Sequence, residues 1–121
     1  MFSPASTVLQ EVEEGKLWAL AATSARRASA APDLPTIAES GLAGYDTSGW
    51  FGLLAPAGVS REIVLRLADA TRQAANSPQV VAILKPQGFD LDPSTPEEFA
   101  AFLRNDLAKW KRVAAAAGIR R

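Results

Sequence analysis

A chain of 121 residues suits one domain burying roughly two-thirds of its unfolded surface. Its hydrophobic content of 48% is ordinary for a globular protein, and thirteen basic side chains balance thirteen acidic ones, so no global field attracts nucleic acid or an anionic membrane. The absence of cysteine and histidine excludes disulfides, thiolate nucleophiles, imidazole bases and thiolate or imidazole metal sites.

The N-terminus, MFSPASTVLQEVEEGK, lacks a cationic stretch followed by an apolar core, so no signal peptide is expected there. SPASTVLQEVEEG predicts a short helix with Ser3 as cap, Pro4 in first position and Gly15 at the end. Val8, Leu9 and Val12 recur at helical spacing, with Glu11, Glu13 and Glu14 mainly on the wet side. Residues 17–22, LWALAA, form a continuous apolar run too short for a helix, which predicts a strand buried on both faces. In TIAESG, Thr36 and Glu39 have the spacing of a capping box, and the turn it opens stops at Gly41.

GWFGLLAP is the second expected buried strand, with Gly49 and Gly52 marking close approach of a backbone or ligand. Ser60 then caps a helix to about Asn76, with Ile63, Val64, Leu67, Thr71 and Ala74 facing inward. Ser77 and Pro78 restart helix, and Pro86 with Gly88 ends it. FDLD reads as a brief strand. The clearest element follows: Thr95 as cap, Pro96 in first position, Glu98 closing a second capping box, and a stop of the Schellman type at Gly118 and Ile119. Lys109, Lys111, Arg112, Arg120 and Arg121 concentrate at its end, where cations suit the helix dipole. No stretch reaches the eighteen apolar residues of a membrane span. This order of elements predicts an α/β fold, a single domain over residues 1–121 with a short, mainly parallel sheet flanked by helices.

Catalysis needs a nucleophile with a base, a carboxylate pair or a metal cluster. Asp90 and Asp92 share a strand face beside Pro93, where solvated edge charge is the simpler account; Asp33, Asp46 and Glu39 fall in loop or cap positions. APAG before Ser60 lacks the spacing of a phosphate loop. No enzymatic activity and no cofactor are expected. Small polar residues do gather where elements end: Ser3 and Ser6 at the first helix, Thr23 and Ser24 after the first strand, Thr47, Ser48 and Gly49 before the second. Hydroxyls and unpaired amides at such places suit carboxylates, and open α/β sheets bind ligands beyond the carboxyl ends of their strands.

Three spaced blocks then match a family. Residues 15–24 (GKLWALAATS), 32–41 (PDLPTIAESG) and 50–58 (WFGLLAPAG) resemble, in order, G-K-L-R-A-L-A-V-T-S, P-x-x-P-T-x-x-E-x-G and W-F-G-L-L-A-P-A-G of the solute-binding receptors of tripartite tricarboxylate transporters, the TctC or Bug type. The final helix is similar as well, with Pro96, Phe99, Trp110, Gly118 and Ile119 in register. The resemblance implies the C-terminal portion of a two-lobed, type II periplasmic-binding-protein fold closing on small organic carboxylates without transforming them. Family members are more than twice as long, and the first lobe's glycine-rich carboxylate loop has no counterpart here. Trp18 stands where the family often has Arg or Lys. By the resemblance Thr23 and Ser24 lie at a strand crossing beside the cleft, Ser48, Gly49 and Trp50 at the return, and Phe2, Ser3 and Ser6 on the cleft wall.

The same resemblance implies a periplasmic location, transporter membrane subunits as partners and a small organic carboxylate as ligand. The second reading is a truncated scaffold that has lost its ligand. Sheet edges and apolar faces left open predict a homodimer or domain-swapped assembly in either case.

Overall fold

The computed structural model describes residues 1–119, with α1 at Ala5–Glu13, α2 at Arg61–Ala75, α3 at Pro78–Leu84 followed by a single 3₁₀ turn at Lys85–Gln87, and α4 at Pro96–Ala116. These residues gather into two compact units: Met1–Leu54 with Ala74–Asp92, and Ala55–Gln73 with the chain from Pro93 on.

In the first unit α1 starts one residue later than its cap signal implied. Pro4, not Ser3, is the capping residue, and its carbonyl accepts both the Thr7 amide and the Thr7 hydroxyl, at 3.0 and 2.8 Å. The exit is as expected. Gly15 takes φ 72°, its N–H donates to the Val12 carbonyl and the Lys16 N–H to that of Glu11, the paired bonds of a Schellman stop. The helix packs against the 3₁₀ turn at Lys85–Gln87, and Gly88 beyond it adopts φ 80°. A side-chain carbon on Gly88 would fall 2.7 Å from Ala5 Cβ and 3.1 Å from Leu9 Cδ1, so α1 rests directly on backbone there.

The mainly parallel sheet is reduced, among the described residues, to one parallel bridge. The Ala22 N–H donates to the Pro35 carbonyl at 2.8 Å and the Ile37 N–H to the Ala22 carbonyl at 2.9 Å. Residues 17–21, 49–55 and FDLD are not paired strands here. Nor are the first two buried on both faces. Trp18 is 89% exposed and Phe51 85%, with Leu20, Leu53 and Leu54 also open. The physical reason is plain: a strand is stabilised by neighbours, and these segments have none on either side within the described chain. Phe51 meets Phe89 in a tilted contact with ring centroids 5.6 Å apart.

Thr36 is the buried exception, and its capping box forms as read. The Glu39 N–H donates to Thr36 Oγ1 at 3.1 Å, and the Thr36 N–H to Glu39 Oε2 at 2.7 Å. In the second unit Ser60 Oγ accepts from the Ile63 amide at the head of α2, and Arg61 pairs with Glu97 at 2.8 Å to tie the starts of α2 and α4. The expected inward stripe of α2 is half open, with Ile63 and Leu67 about half exposed. At α4 Thr95 and Glu98 make their reciprocal bonds, and the far end closes with Ile119 N–H on the Ala114 carbonyl and Gly118 N–H on that of Ala115. Arg120 and Arg121, part of the expected cationic cluster, lie outside the described residues.

Thr95→Ala is expected to cost about 1 kcal/mol through loss of the α4 cap. Circular dichroism during thermal unfolding checks it. Among the described residues no hydrophobic side chain is buried, so the local signals build helices whose apolar faces still await cover.

Candidate functional site

Five of the eight expected ligand-binding residues fall at one junction in the first unit. The Thr47 N–H donates to the Thr23 carbonyl at 2.8 Å, which draws the end of the first extended segment against the start of the second. Asp46 fastens the same junction from its side chain: Oδ1 accepts the Ala25 amide at 3.1 Å and the Ser48 hydroxyl at 3.2 Å. Thr23 and Ser24 are half-buried, and Ser48, Gly49 and Trp50 are exposed beside them in sequence. The Ser24 hydroxyl donates to the Arg26 carbonyl at 2.6 Å, so its proton is engaged locally while its lone pairs stay open. The amides of Ser24, Ser48 and Gly49 donate to no backbone carbonyl among the described residues.

The other three expected residues are not joined to this junction by any hydrogen bond among the described residues. Phe2 and Ser3 are exposed ahead of α1. Ser6 lines an open recess of about 540 Å³ between α1 and the 3₁₀ turn, shared with Gln10, Glu13, Glu14, Pro86 and Gln87. The two carboxylates there oppose an anion. Glu14 in turn is held below the ordinary glutamate range by its hydrogen bond from Lys16, with Gln10 adding to it.

Beneath the junction the chain is held by a second carboxylate. Glu39 accepts Arg27 Nε on both oxygens, at 3.2 and 3.0 Å, while Arg27 Nη1 donates to the Pro32 carbonyl at 3.2 Å. The Thr36 backbone amide, followed by Arg27, holds the Glu39 carboxyl below its usual range. The parallel bridge to Ala22 lies between this clamp and Thr23, so the position of Thr23 and Ser24 depends on it. Sequence reasoning treated Asp46 as a loop residue and missed it as the pin of the junction. Only its bond from the Ser48 hydroxyl, two positions on, is local; the one from the Ala25 amide spans 21 positions and leaves no local pattern. Arg27 carried no local signal either, since its partner lies twelve positions away.

Chemically the junction offers hydroxyls and amides around one carboxylate. It can orient a small polar or anionic group by hydrogen bonds. Among the described residues no group of three His, Cys, Asp or Glu side chains could hold a metal ion, and no helix is long and apolar enough to cross a membrane.

The sequence profile of the tripartite tricarboxylate transporter family receptor, TctC, matches residues 1–119. The chain belongs to this family. BugT of Bordetella pertussis is 32% identical over 88% of the chain and 32% of its own length. A UPF0065 protein from the tcbD-tcbE intergenic region of Pseudomonas sp. strain P51 is 32% identical over 93% of the chain and 34% of its own length. The chain thus spans about a third of the length of the curated relatives it matches. Among solved structures, R. palustris Rpa4515 with adipate aligns at TM-score 0.75 and 32% identity, covering 94% of this chain and 38% of that one. The periplasmic binding protein BugD aligns at TM-score 0.75 and 29% identity, with 93% and 38% covered. The TctC-type receptor fold is therefore the frame in which these segments sit, although its sheet is represented among the described residues by a single bridge.

Proposed function

We propose that this chain is the C-terminal portion of a two-lobed TctC-type receptor and recognises a small organic carboxylate at the junction of Thr23, Ser24, Ser48, Gly49 and Trp50. Phe2, Ser3 and Ser6 complete the cleft wall. The recognition is non-catalytic, and the setting is periplasmic, with the membrane subunits of a transporter as downstream partners. The observation that carries this reading is the convergence of Thr23 and Ser48 through the Thr47–Thr23 backbone bond and the Asp46 pin. The adipate-bound neighbour supports the ligand class.

Asp46 sets a limit on such a site. Its carboxylate already takes the Ala25 amide and the Ser48 hydroxyl, and its charge opposes an incoming anion. Asp46→Asn retains an acceptor oxygen and removes the charge. At the intermediate effective dielectric of a protein surface, this is expected to tighten binding about threefold to tenfold.

Titration calorimetry with adipate, citrate, glutamate and an aromatic acid tests the reading. Heat with at least one acid is expected. Thr23→Val weakens that binding about tenfold, the scale of a hydrogen bond to a charged group, whereas Ser48→Ala, which removes a hydroxyl whose proton already goes to Asp46, weakens it less. Silence across all four acids at millimolar concentration sinks the proposal for this chain and leaves the truncated scaffold as its reading.

A further inference from the structure

We propose that Arg27 is a positioning residue for ligand recognition, one that fixes Thr23 and Ser24 through Glu39 without meeting the ligand itself. The inference rests on the carboxylate reading of the junction and adds to it what keeps the junction in shape.

The geometry is a short loop fastened at both ends to one turn. At the near end the Ala22 N–H donates to the Pro35 carbonyl at 2.8 Å, and the Ala22 carbonyl accepts the Ile37 amide at 2.9 Å. At the far end Arg27 Nε donates to both Glu39 oxygens, at 3.2 and 3.0 Å, and Glu39 Oε2 accepts the Thr36 amide at 2.7 Å. Residues 35–39 therefore hold both ends of residues 22–27, with Thr23 and Ser24 in between. Arg27 Nη1 donates in addition to the Pro32 carbonyl at 3.2 Å. A planar guanidinium serves two acceptors at once, where an ammonium is a single point of charge.

Stability does not account for this pair. The Arg27 and Glu39 side chains are 45% and 48% exposed, and ion pairs so open to water contribute little to folding. What such a pair does is narrow the set of shapes a loop adopts. The Thr23 carbonyl takes the Thr47 amide and the Ala25 amide goes to Asp46, and both bonds need the loop already in place. A site that is correctly shaped only part of the time binds more weakly in proportion to that fraction. With the clasp open, the ligand itself would have to order these residues, at the expense of its affinity.

Direct contact between Arg27 and the anion is the rival account, and the charge of Glu39 separates the two. An Arg27 that met the anion would be freer for it once Glu39 is neutralised, and binding would tighten. An Arg27 that positions the loop loses its anchor by the same change, and binding weakens.

Amide hydrogen exchange and titration calorimetry on the full chain test the role with Arg27→Met, Arg27→Lys and Glu39→Gln. In Arg27→Met the hydrogen-bonded amides of Ala25 and Thr47 are expected to exchange about tenfold faster, while those of α1 and α3, in the same unit, keep their rates. Whichever of adipate, citrate, glutamate and an aromatic acid the parent binds most tightly should bind Arg27→Met about tenfold more weakly. Arg27→Lys keeps the charge without the fork and should lose about threefold, as should Glu39→Gln, which keeps an acceptor for the Thr36 amide. Unchanged affinity in Arg27→Met overturns the inference, and so does tighter binding in Glu39→Gln. Exchange that quickens over α1 and α3 as much as over the junction overturns it too, being the mark of a merely destabilised unit. A parent that binds none of the acids removes the carboxylate reading and this role with it, whereas a parent whose binding survives Arg27→Met intact removes the role alone.

Discussion

Gly88→Ala is expected to lower the unfolding midpoint by about 10 °C or more, the largest effect of any single methyl group in the chain. Two independent costs add. The residue sits at φ 80°, where an L side chain costs roughly 1–2 kcal/mol. Its new methyl would also fall 2.7 Å from Ala5 Cβ, an atom fixed directly to the α1 backbone, so the helix itself must move. Overpacking of that kind adds about 1–3 kcal/mol. A thermal scan at fixed protein concentration measures the shift, because association moves the midpoint with concentration. A control at Gly118 separates the costs: it has φ 71° but open space around its Cβ position, so Gly118→Ala should lose only the backbone share. Equal losses at the two sites would mean that α1 does not rest on Gly88.

What the sequence made legible follows the range of the forces involved. Caps and stops are local, and they were readable: Thr95 with Glu98, Thr36 with Glu39, Ser77 ahead of α3, and glycines at 15 and 118. Each needs residues no more than five positions apart, so the pattern alone specifies the bond. The apolar runs were readable as extended chain but not as a sheet. LWALAA and GWFGLLAP encode strand preference, yet a ladder is a property of neighbours, and the described residues supply Ala22 and Thr36 with one bridge and residues 51–54 with none. Burial failed for the same cause. The stripe Ile63, Val64 and Leu67 says which face of α2 wants cover, not what covers it.

The site was legible by type and only partly by place. Small polar residues at segment ends pointed to Thr23, Ser24 and Ser48, and the Thr47–Thr23 bond does bring those ends together. The same argument selected Ser6, which faces a recess flanked by two carboxylates. Helix-end hydroxyls are too common for the rule to separate the cases. What distinguishes the junction is Asp46 and Arg27, long-range pins whose partners lie 21 and 12 positions away and leave no local trace.

Thr36→Val carries the remaining large expectation, because one buried hydroxyl underlies the junction at several removes. Thr36 is 1% exposed, and its Oγ1 accepts the Glu39 amide. Valine preserves the shape and leaves that amide without its partner, a loss of about 1–2 kcal/mol from a helix-type cap in a covered position. The Thr36 N–H still donates to Glu39, so the acid behaviour of the loop should survive the substitution. That behaviour has a definite sign. The folded state holds the Glu39 carboxyl below its ordinary value, chiefly through the Thr36 amide and then Arg27, so the stabilisation is fully present above the unfolded value. It is lost as pH falls from about 4.3, the ordinary glutamate pKa, through the lower folded one. Glu39→Gln should therefore be less stable at neutral pH and should flatten the acid limb, whereas Thr36→Val shifts the whole curve down and keeps its slope. Unfolding followed at a series of pH values between 2 and 7 (the span that brackets ordinary carboxylate titration) separates the two. If Glu39→Gln reproduces the parent's acid limb, the clamp below Thr23 is not what sets the loop, and the parallel bridge to Ala22 must hold it alone.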